Sequence, residues 1–278
     1  MLARSRKPHS QDAAPTVQFM SDLHLERVKY DFEITKAAPI LLFAGDVGRF
    51  CDEALYRAFL AKQCSQFDKV LLIAGNHEFY GSSREEGLAI AQNLVEDEVM
   101  GGKLHFLNRT RFDIPSSSTT ILGCTLHSYI APDYTRLTND FNCIKDWRVR
   151  DHNAEHEYDV EWLQTTLAEM SEESRNRRVI VVTHYAPAFE KTSHPAHTNS
   201  DVSQCFYSNA LEQMASWKGT EQVTDWIFGH THWNAKFLVG AVLVQSNQYC
   251  NDSEKLSWWQ KKTLYRPFEM EAKLQVLR

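Results

Sequence analysis

The sequence predicts an α/β fold whose parallel strands finish on one functional edge, and three observations carry that expectation. Apolar runs at 17–20, 40–44 and 70–74 stop abruptly at Ser21-Asp22, Gly45-Asp46 and Gly75-Asn76-His77. The run from Val70 to Ala74 has no polar interruption, as an interior parallel strand covered on both faces requires. Between the second and third runs, residues 52–67 place Leu55, Phe59 and Leu60 at helical spacing, which completes a β-α-β unit.

The remaining elements follow in order. Ser82-Ser83 ahead of Glu85-Glu86 is an N-cap signal for a helix through Leu88, Ala91, Leu94 and Val95. From Leu104 to Leu126 the pattern shortens to β segments, with Pro115 and three serines as the turn of a hairpin. Residues 131–157 are polar, aromatic and irregular, and are expected to be a substrate-facing loop region. A helix is expected from near Tyr158, then strands at 178–182 and 226–228 ending at Thr183-His184 and Gly229-His230. A hairpin (235–239 and 241–245) turns at Gly240, and a final strand is expected within 264–277.

Composition bounds the function. The chain has 278 residues, 43% of them hydrophobic, enough for one large domain, expected over 16–278 behind a disordered tail at 1–15. Thirty basic against 36 acidic side chains leave a net charge of −6, so no global positive field favours long nucleic acid or an anionic membrane. Cysteines 51, 64, 124, 143, 205 and 250 stand singly and read as reduced thiols. The basic leader lacks the apolar stretch of a secretory signal, and no run approaches the roughly 18 apolar residues of a membrane span. These features predict a soluble cytoplasmic protein; a weaker reading of the basic, serine-containing leader is organelle targeting.

Five strand ends carry polar clusters: Asp22 and His24, Asp46, Asn76 with His77 and Glu78, His184, and His230 with His232. In open α/β sheets ligands bind beyond the carboxyl ends of the strands, where side chains distant in sequence converge. Carboxylates, imidazoles and an amide oxygen without thiolates suit divalent Mn²⁺, Fe²⁺ or Zn²⁺ and argue against a structural zinc site. Strand geometry would turn Asp22 and His24 to one side, and likewise His230 and His232, so that each pair chelates. Glycines before Asp46, Asn76 and His230 permit a sharp turn and close backbone approach. The alternative, unrelated core histidines and helix caps, must be invoked separately at all five places.

The chain resembles the calcineurin-like metallophosphoesterase superfamily in carrying D-x-H, GD, GNH(D/E), H and GHxH in order. It is most similar to small soluble members with SDLHLE (21–26), AGD (44–46), GNHE (75–78), GxTL (123–126), NDF (139–141), THxAP (183–187) and GHTH (229–232). The resemblance runs from about Val17 to Tyr249 and implies two stacked mixed β-sheets flanked by helices, a four-layer αββα sandwich. It implies two divalent metal ions, one on Asp22, His24, Asp46 and His232, the other on Asp46, Asn76, His184 and His230, with Asp46 bridging. A hydroxide shared by both ions would attack phosphorus in line, and His77 would protonate the leaving oxygen or stabilise its charge.

The expected substrate is a small soluble phosphate monoester or diester, and oligomeric state stays open. Asn139 and Asp140 are candidates for orienting substrate or a ligating side chain, and Tyr80, Tyr185, Trp233 and Tyr249, with Phe79, for a stacking pocket. Glu26 and Glu78 are expected to support metal-bound imidazoles. Related chains often carry an arginine where this one reads Ser246-Asn247-Gln248-Tyr249, which removes one possible phosphate clamp. The other histidines, His194 and His197 included, are expected to be solvated or packed. Two rival functions are a non-catalytic scaffold on the same fold, which would have lost ligands, and a DNA nuclease of the superfamily, which the acidic balance disfavours.

Overall fold

The apolar runs form strands where the sequence places them, and their alternating side chains build three stacked layers of core. The computed structural model describes residues 16–27, 29–173, 177–197, 200–249 and 276–277. The expected tail at 1–15 lies outside them. Strands β1 (Val17–Met20) and β2 (Ile40–Ala44) lead to helix α1 (Glu53–Gln66), β3 (Lys69–Ile73), helix α2 (Arg84–Glu96) and β4 (Leu104–Phe106). There follow β5 (Thr110–Asp113), β6 (Thr119–Cys124), α3 (Asp140–Cys143), α4 (Val149–Glu173) and β7 (Arg178–Thr183). The chain continues through α5 (Ala210–Gln213), β8 (Val223–Phe228), β9 (Lys236–Val239), β10 (Val242–Ser246) and β11 (Val276–Leu277).

One sheet has the order β11-β1-β2-β3-β4 and the other β5-β6-β7-β8-β10-β9. Both are mixed: β1 to β4 run parallel with β11 antiparallel at one edge, and β6-β7-β8-β10 run parallel between antiparallel edge strands. Alternate residues of the inner strands face the other sheet: Phe19, Leu42, Ile73, Ile121, Ile180 and Ile227 share one buried cluster. The intervening residues face outward. Phe43 and Leu72 pack with Tyr56, Phe59 and Leu94 of α1 and α2, and Val181 and Phe228 with Leu163 and Leu167 of α4. The αββα order follows from this two-sided burial.

Several local expectations hold in detail. Ser83 forms a reciprocal capping box with Glu86 at the start of α2. The hairpins β5-β6 and β9-β10 pair antiparallel. β4 lies in the first sheet, parallel to β3, and β5 and β6 make the hairpin as expected. Two readings change. Leu55 points outward at 57% exposure, and Tyr56 takes the buried position on α1. Helix α4 begins at Val149, not near Tyr158, because the first part of its buried stripe is polar: His152, His156 and Asp159 precede Leu163 and Leu167. An apolar periodicity cannot register such a stripe. Of the expected strand at 264–277, all but 276–277 lies outside the described residues.

These polar residues hold the exit from β6. Asp159 Oδ2 accepts the Leu126 N–H at 2.8 Å, and His156 Nδ1 donates to the carbonyls of Leu126 and His127.

Leu42 is fully buried between the sheets, whereas Leu55 sits in solvent. Leu42→Ala is expected to lower unfolding stability by about 2–5 kcal/mol, and Leu55→Ala by less than about 0.5 kcal/mol, in urea unfolding at 25 °C.

Candidate metal centre and active site

Seven candidate ligands leave the carboxyl ends of β1, β2, β3, β7 and β8, and the two sheets are tied together at that rim. Ser21 N–H donates to the Asn247 carbonyl at 3.0 Å and Tyr249 N–H to the Ser21 carbonyl at 3.0 Å; within the second sheet, Gly229 N–H donates to the His184 carbonyl at 2.9 Å. The His230 N–H reaches across to the Asp22 carboxylate at 3.0 Å. Gln248 stands in the segment where related chains often have an arginine; its Nε2 donates to Thr231 Oγ1 and the Trp233 carbonyl, both at 3.0 Å, and so pins the GHTH loop.

The paired ligands converge for a different reason from the one strand geometry suggests. The strands have ended, and Asp22, His24, Asp46, His230 and His232 all have left-handed backbones, with φ of 56°, 46°, 54°, 70° and 52°. Such a conformation costs a non-glycine residue roughly 1–2 kcal/mol, and its concentration here marks a site that the surrounding structure holds under strain. The glycines are required by close approach. A Cβ on Gly75 would lie 2.1 Å from Asp46 Oδ1 and 2.6 Å from His184 Nε2, and one on Gly45 would lie 2.4 Å from His184 Nδ1.

The donors form two groups, Asp22-His24-His232 and Asp46-His184-His230, each with its ligand atoms within 4.8 Å of one another. Within the first, His24 Nε2 lies 3.0 Å from His232 Nε2, and His232 Nε2 lies 3.6 Å from Asp22 Oδ1. Asp46 faces both groups: Oδ2 is 3.7 Å from His24 Nε2, and Oδ1 is 3.3 Å from His184 Nε2. Asn76 Oδ1 lies 3.2 Å from His184 Nε2 and joins the second group. Donors about 2.0–2.2 Å from one cation stand roughly 2.9–3.6 Å from each other, so these spacings fit a divalent pair bridged by Asp46. The donor chemistry fits too: two carboxylates, four imidazoles and an amide oxygen, with no thiol.

A second layer of contacts sets which atom each ligand presents. His184 Nδ1 donates to the Ala44 carbonyl at 2.9 Å, which leaves Nε2 for the site. His230 Nε2 donates to the Cys205 carbonyl at 3.3 Å, which leaves Nδ1. The Asn76 amide nitrogen donates to Asp140 Oδ1 at 2.8 Å and to Tyr80 Oη at 3.1 Å, so its carbonyl oxygen must face inward. Glu78 is fully buried and braces the backbone: it accepts N–H groups of Asp46 (2.9 Å), Val47 (2.8 Å) and Gly75 (2.6 Å), and the Tyr56 hydroxyl at 3.0 Å. It therefore supports ligand-bearing loops and touches no imidazole. Burial and the Asp46 charge raise its carboxyl to about 7, against the pull of the imidazole of His184 and the backbone donors. At Asp46 burial also opposes charge, but His184 and His77 outweigh it and hold the carboxyl well below its usual range.

His77 lies beside the two groups without joining either. Its backbone N–H donates to Asp46 Oδ1 at 3.0 Å, and its ring stacks on Tyr80 with centroids 4.2 Å apart. Of the aromatic candidates, Tyr80 is half-buried under His77, and Trp233 meets His194 edge-on at 4.8 Å. Tyr185 is a correction: it is fully buried, packs 4.1 Å from His230 and donates to Asp140, and so offers no face to a substrate. Phe79 is likewise core, and Tyr249 packs edge-on against Phe32. Asn139 is exposed at the start of α3, and its neighbour Asp140 makes the contact with the site. Sequence reading missed the Cys205 carbonyl and the stacking of Phe206 on His230 at 4.5 Å, because a main-chain acceptor carries no residue-type signal.

Gly75→Ala should reduce bound divalent metal by at least one equivalent in elemental analysis of dialysed protein, since its Cβ would sit among the donors of Asp46 and His184. Retention of the full complement would contradict this packing.

Comparison with known proteins agrees with the geometry. A curated relative, an uncharacterised protein of Acanthamoeba polyphaga mimivirus, is 23% identical over 268 residues, 84% of this chain and 90% of its own. The phosphopantetheinyl hydrolase of Mycobacterium tuberculosis superposes with a TM-score of 0.62 at 16% identity, covering 87% of this chain and 93% of that one. A dimetal phosphatase from Danio rerio gives 0.51 at 14% identity, covering 84% and 87%. Both share the fold of stacked sheets between helices. The family model for calcineurin-like phosphoesterases matches residues 15–234, and the chain belongs to that family as a metal-dependent phosphoesterase.

Proposed function

We propose that this protein hydrolyses a small phosphate ester with a pair of divalent cations, Mn²⁺, Fe²⁺ or Zn²⁺ by donor chemistry, held by the seven strand-end ligands. The observation that carries the reading is Asp46, whose two oxygens face two separate donor groups at 3.7 Å and 3.3 Å. Bound there, such cations supply charge against the phosphoryl oxygens and acidify water to near neutral pH. The chain supplies the rest. Asp140 keeps the Asn76 carbonyl oxygen inward, and Glu78 holds the loops of Asp46 and Gly75 in register. The His77 side chain, 13% exposed at the edge of the donor groups, is placed to give a proton to the leaving oxygen.

The named activity of the mycobacterial neighbour, a phosphopantetheinyl hydrolase, is compatible with a small ester, but at 16% identity that likeness concerns the fold. Monoester and diester are both within the reading. Net charge of −6 supports a small substrate over long nucleic acid. Among the described residues no helix is long and apolar enough to cross a membrane, and Cys51, Cys64, Cys124, Cys143 and Cys205 are free thiols, which supports a cytoplasmic setting.

With Mn²⁺ added, the purified protein is expected to hydrolyse p-nitrophenyl phosphate or its bis-ester. Asp46→Asn should lower kcat by about 10²-fold or more on either ester, and His77→Ala by about 10²-fold or more on an ester whose leaving group is an aliphatic alcohol. Unchanged rates in both variants would refute the assignment. A protein that cannot be loaded beyond one metal equivalent would instead be a scaffold.

A further inference from the structure

We propose that Glu26 is the positioning residue for His77: one carboxylate oxygen holds the Nδ1–H of both His77 and His24, and thereby turns each Nε2 to its task. The inference rests on the hydrolytic reading above and assigns a residue that the reading does not need as a ligand. Glu26 Oε1 lies 2.8 Å from His77 Nδ1 and 3.2 Å from His24 Nδ1. These bonds leave His24 Nε2 facing Asp46 and His232, and leave His77 Nε2 as the ring nitrogen with no partner among the described residues.

The ring of His77 has no other freedom. Tyr80 stacks on one face at 4.2 Å and 27°, and the His24 ring meets it edge-on at 4.4 Å and 73°. Tyr80 fixes the plane; only the bond to Glu26 selects which edge of the imidazole points outward.

The placement of Glu26 is not explained by stability. Its side chain is 7% exposed, and Oε2 is buried with no hydrogen-bond partner among the described residues, while Oε1 faces both imidazoles at hydrogen-bond distance and Arg27 Nε at 3.7 Å. An unsatisfied buried acceptor costs about 1–3 kcal/mol, so a carboxylate selected for packing would pair both oxygens.

In the step that this geometry serves, a water oxygen bonds to phosphorus as the bond from phosphorus to the leaving oxygen breaks. The Nε2 proton of His77 passes to that oxygen, and the Nδ1 proton stays on the bond to Glu26. The attacking water yields a proton to solvent, and solvent later restores Nε2–H.

The test compares E26Q, H77A and the double variant on two esters of the class that the wild type hydrolyses, one with nitrophenol and one with an aliphatic alcohol as leaving group. An activated phenol needs little protonation and an alcohol needs much. E26Q is expected to lower kcat on the alkyl ester by about 10- to 100-fold and on the nitrophenyl ester by less than about threefold. With Mn²⁺ at saturating concentration KM should be unchanged and the metal complement full, and the double variant should be no slower than H77A. Equal losses on both esters, additive losses in the double variant, or a metal complement that saturating Mn²⁺ does not restore would each overturn the proposal. Should E26Q fail to fold, E26D keeps the charge, withdraws it by one methylene, and is expected to show the same selective loss.

A second readout does not depend on turnover. In ¹⁵N-histidine NMR at a pH where the ring has lost the proton it donates, neutral His77 should be the Nδ1–H tautomer in the wild type and gain Nε2–H tautomer in E26Q; an unchanged tautomer would also overturn the proposal. If the wild type hydrolyses no ester, the hydrolytic reading fails while the NMR measurement still decides whether Glu26 orients His77.

Discussion

Everything at the rim depends on holding seven donors together in one confined space. Two imidazole nitrogens 3.0 Å apart, and a carboxylate whose two oxygens face imidazoles at 3.3 Å and 3.7 Å, can share protons, and the same spacings suit ligation of cations. The chain holds them by force of structure. Left-handed backbones at Asp22, His24, Asp46, His230 and His232 cost energy that the inter-sheet core must offset, and Glu78 binds the loops so that they cannot relax.

The sandwich supplies that force because parallel strands of both sheets finish on the same side. A single sheet would spread its strand ends along a line about 4.8 Å per strand. Two sheets packed through Phe19, Leu42, Ile180 and Ile227 bring the ends of β1 and β2 opposite those of β7 and β8. The hydrogen bonds of Ser21 with Asn247 and Tyr249 close the rim, and Gln248 fastens the loop that carries His230 and His232. Gln248 is thereby committed to the frame.

Two carboxylates outside the ligand set divide the supporting work. Asp140 accepts from Asn76, Tyr80 and Tyr185, and so governs the amide ligand and the stacking platform under His77. Glu26 governs the imidazoles on the other side. Tyr80 stacks on His77 and shares hydrogen bonds with Asp140 and Asn76, so the ring of His77 and the candidate ligand Asn76 rest on one network.

Strand positions and the candidate ligands were legible in the sequence because they are written in neighbouring residues: unbroken apolar runs such as 70–74, then a glycine and a donor. The capping box of α2 was legible for the same reason. The start of α4 was not, since its buried stripe opens with His152, His156 and Asp159, whose burial makes sense only beside the exit of β6. Nor could the sequence separate Tyr80, which platforms His77, from Tyr185, which is core behind His230. By itself the sequence determined which atoms could bind and at which strand ends they stand. The tertiary structure decided which ring nitrogen faces inward, which carboxylate steers which imidazole, and which backbone bears strain, because those outcomes depend on partners as far apart in the chain as His230 and Asp22.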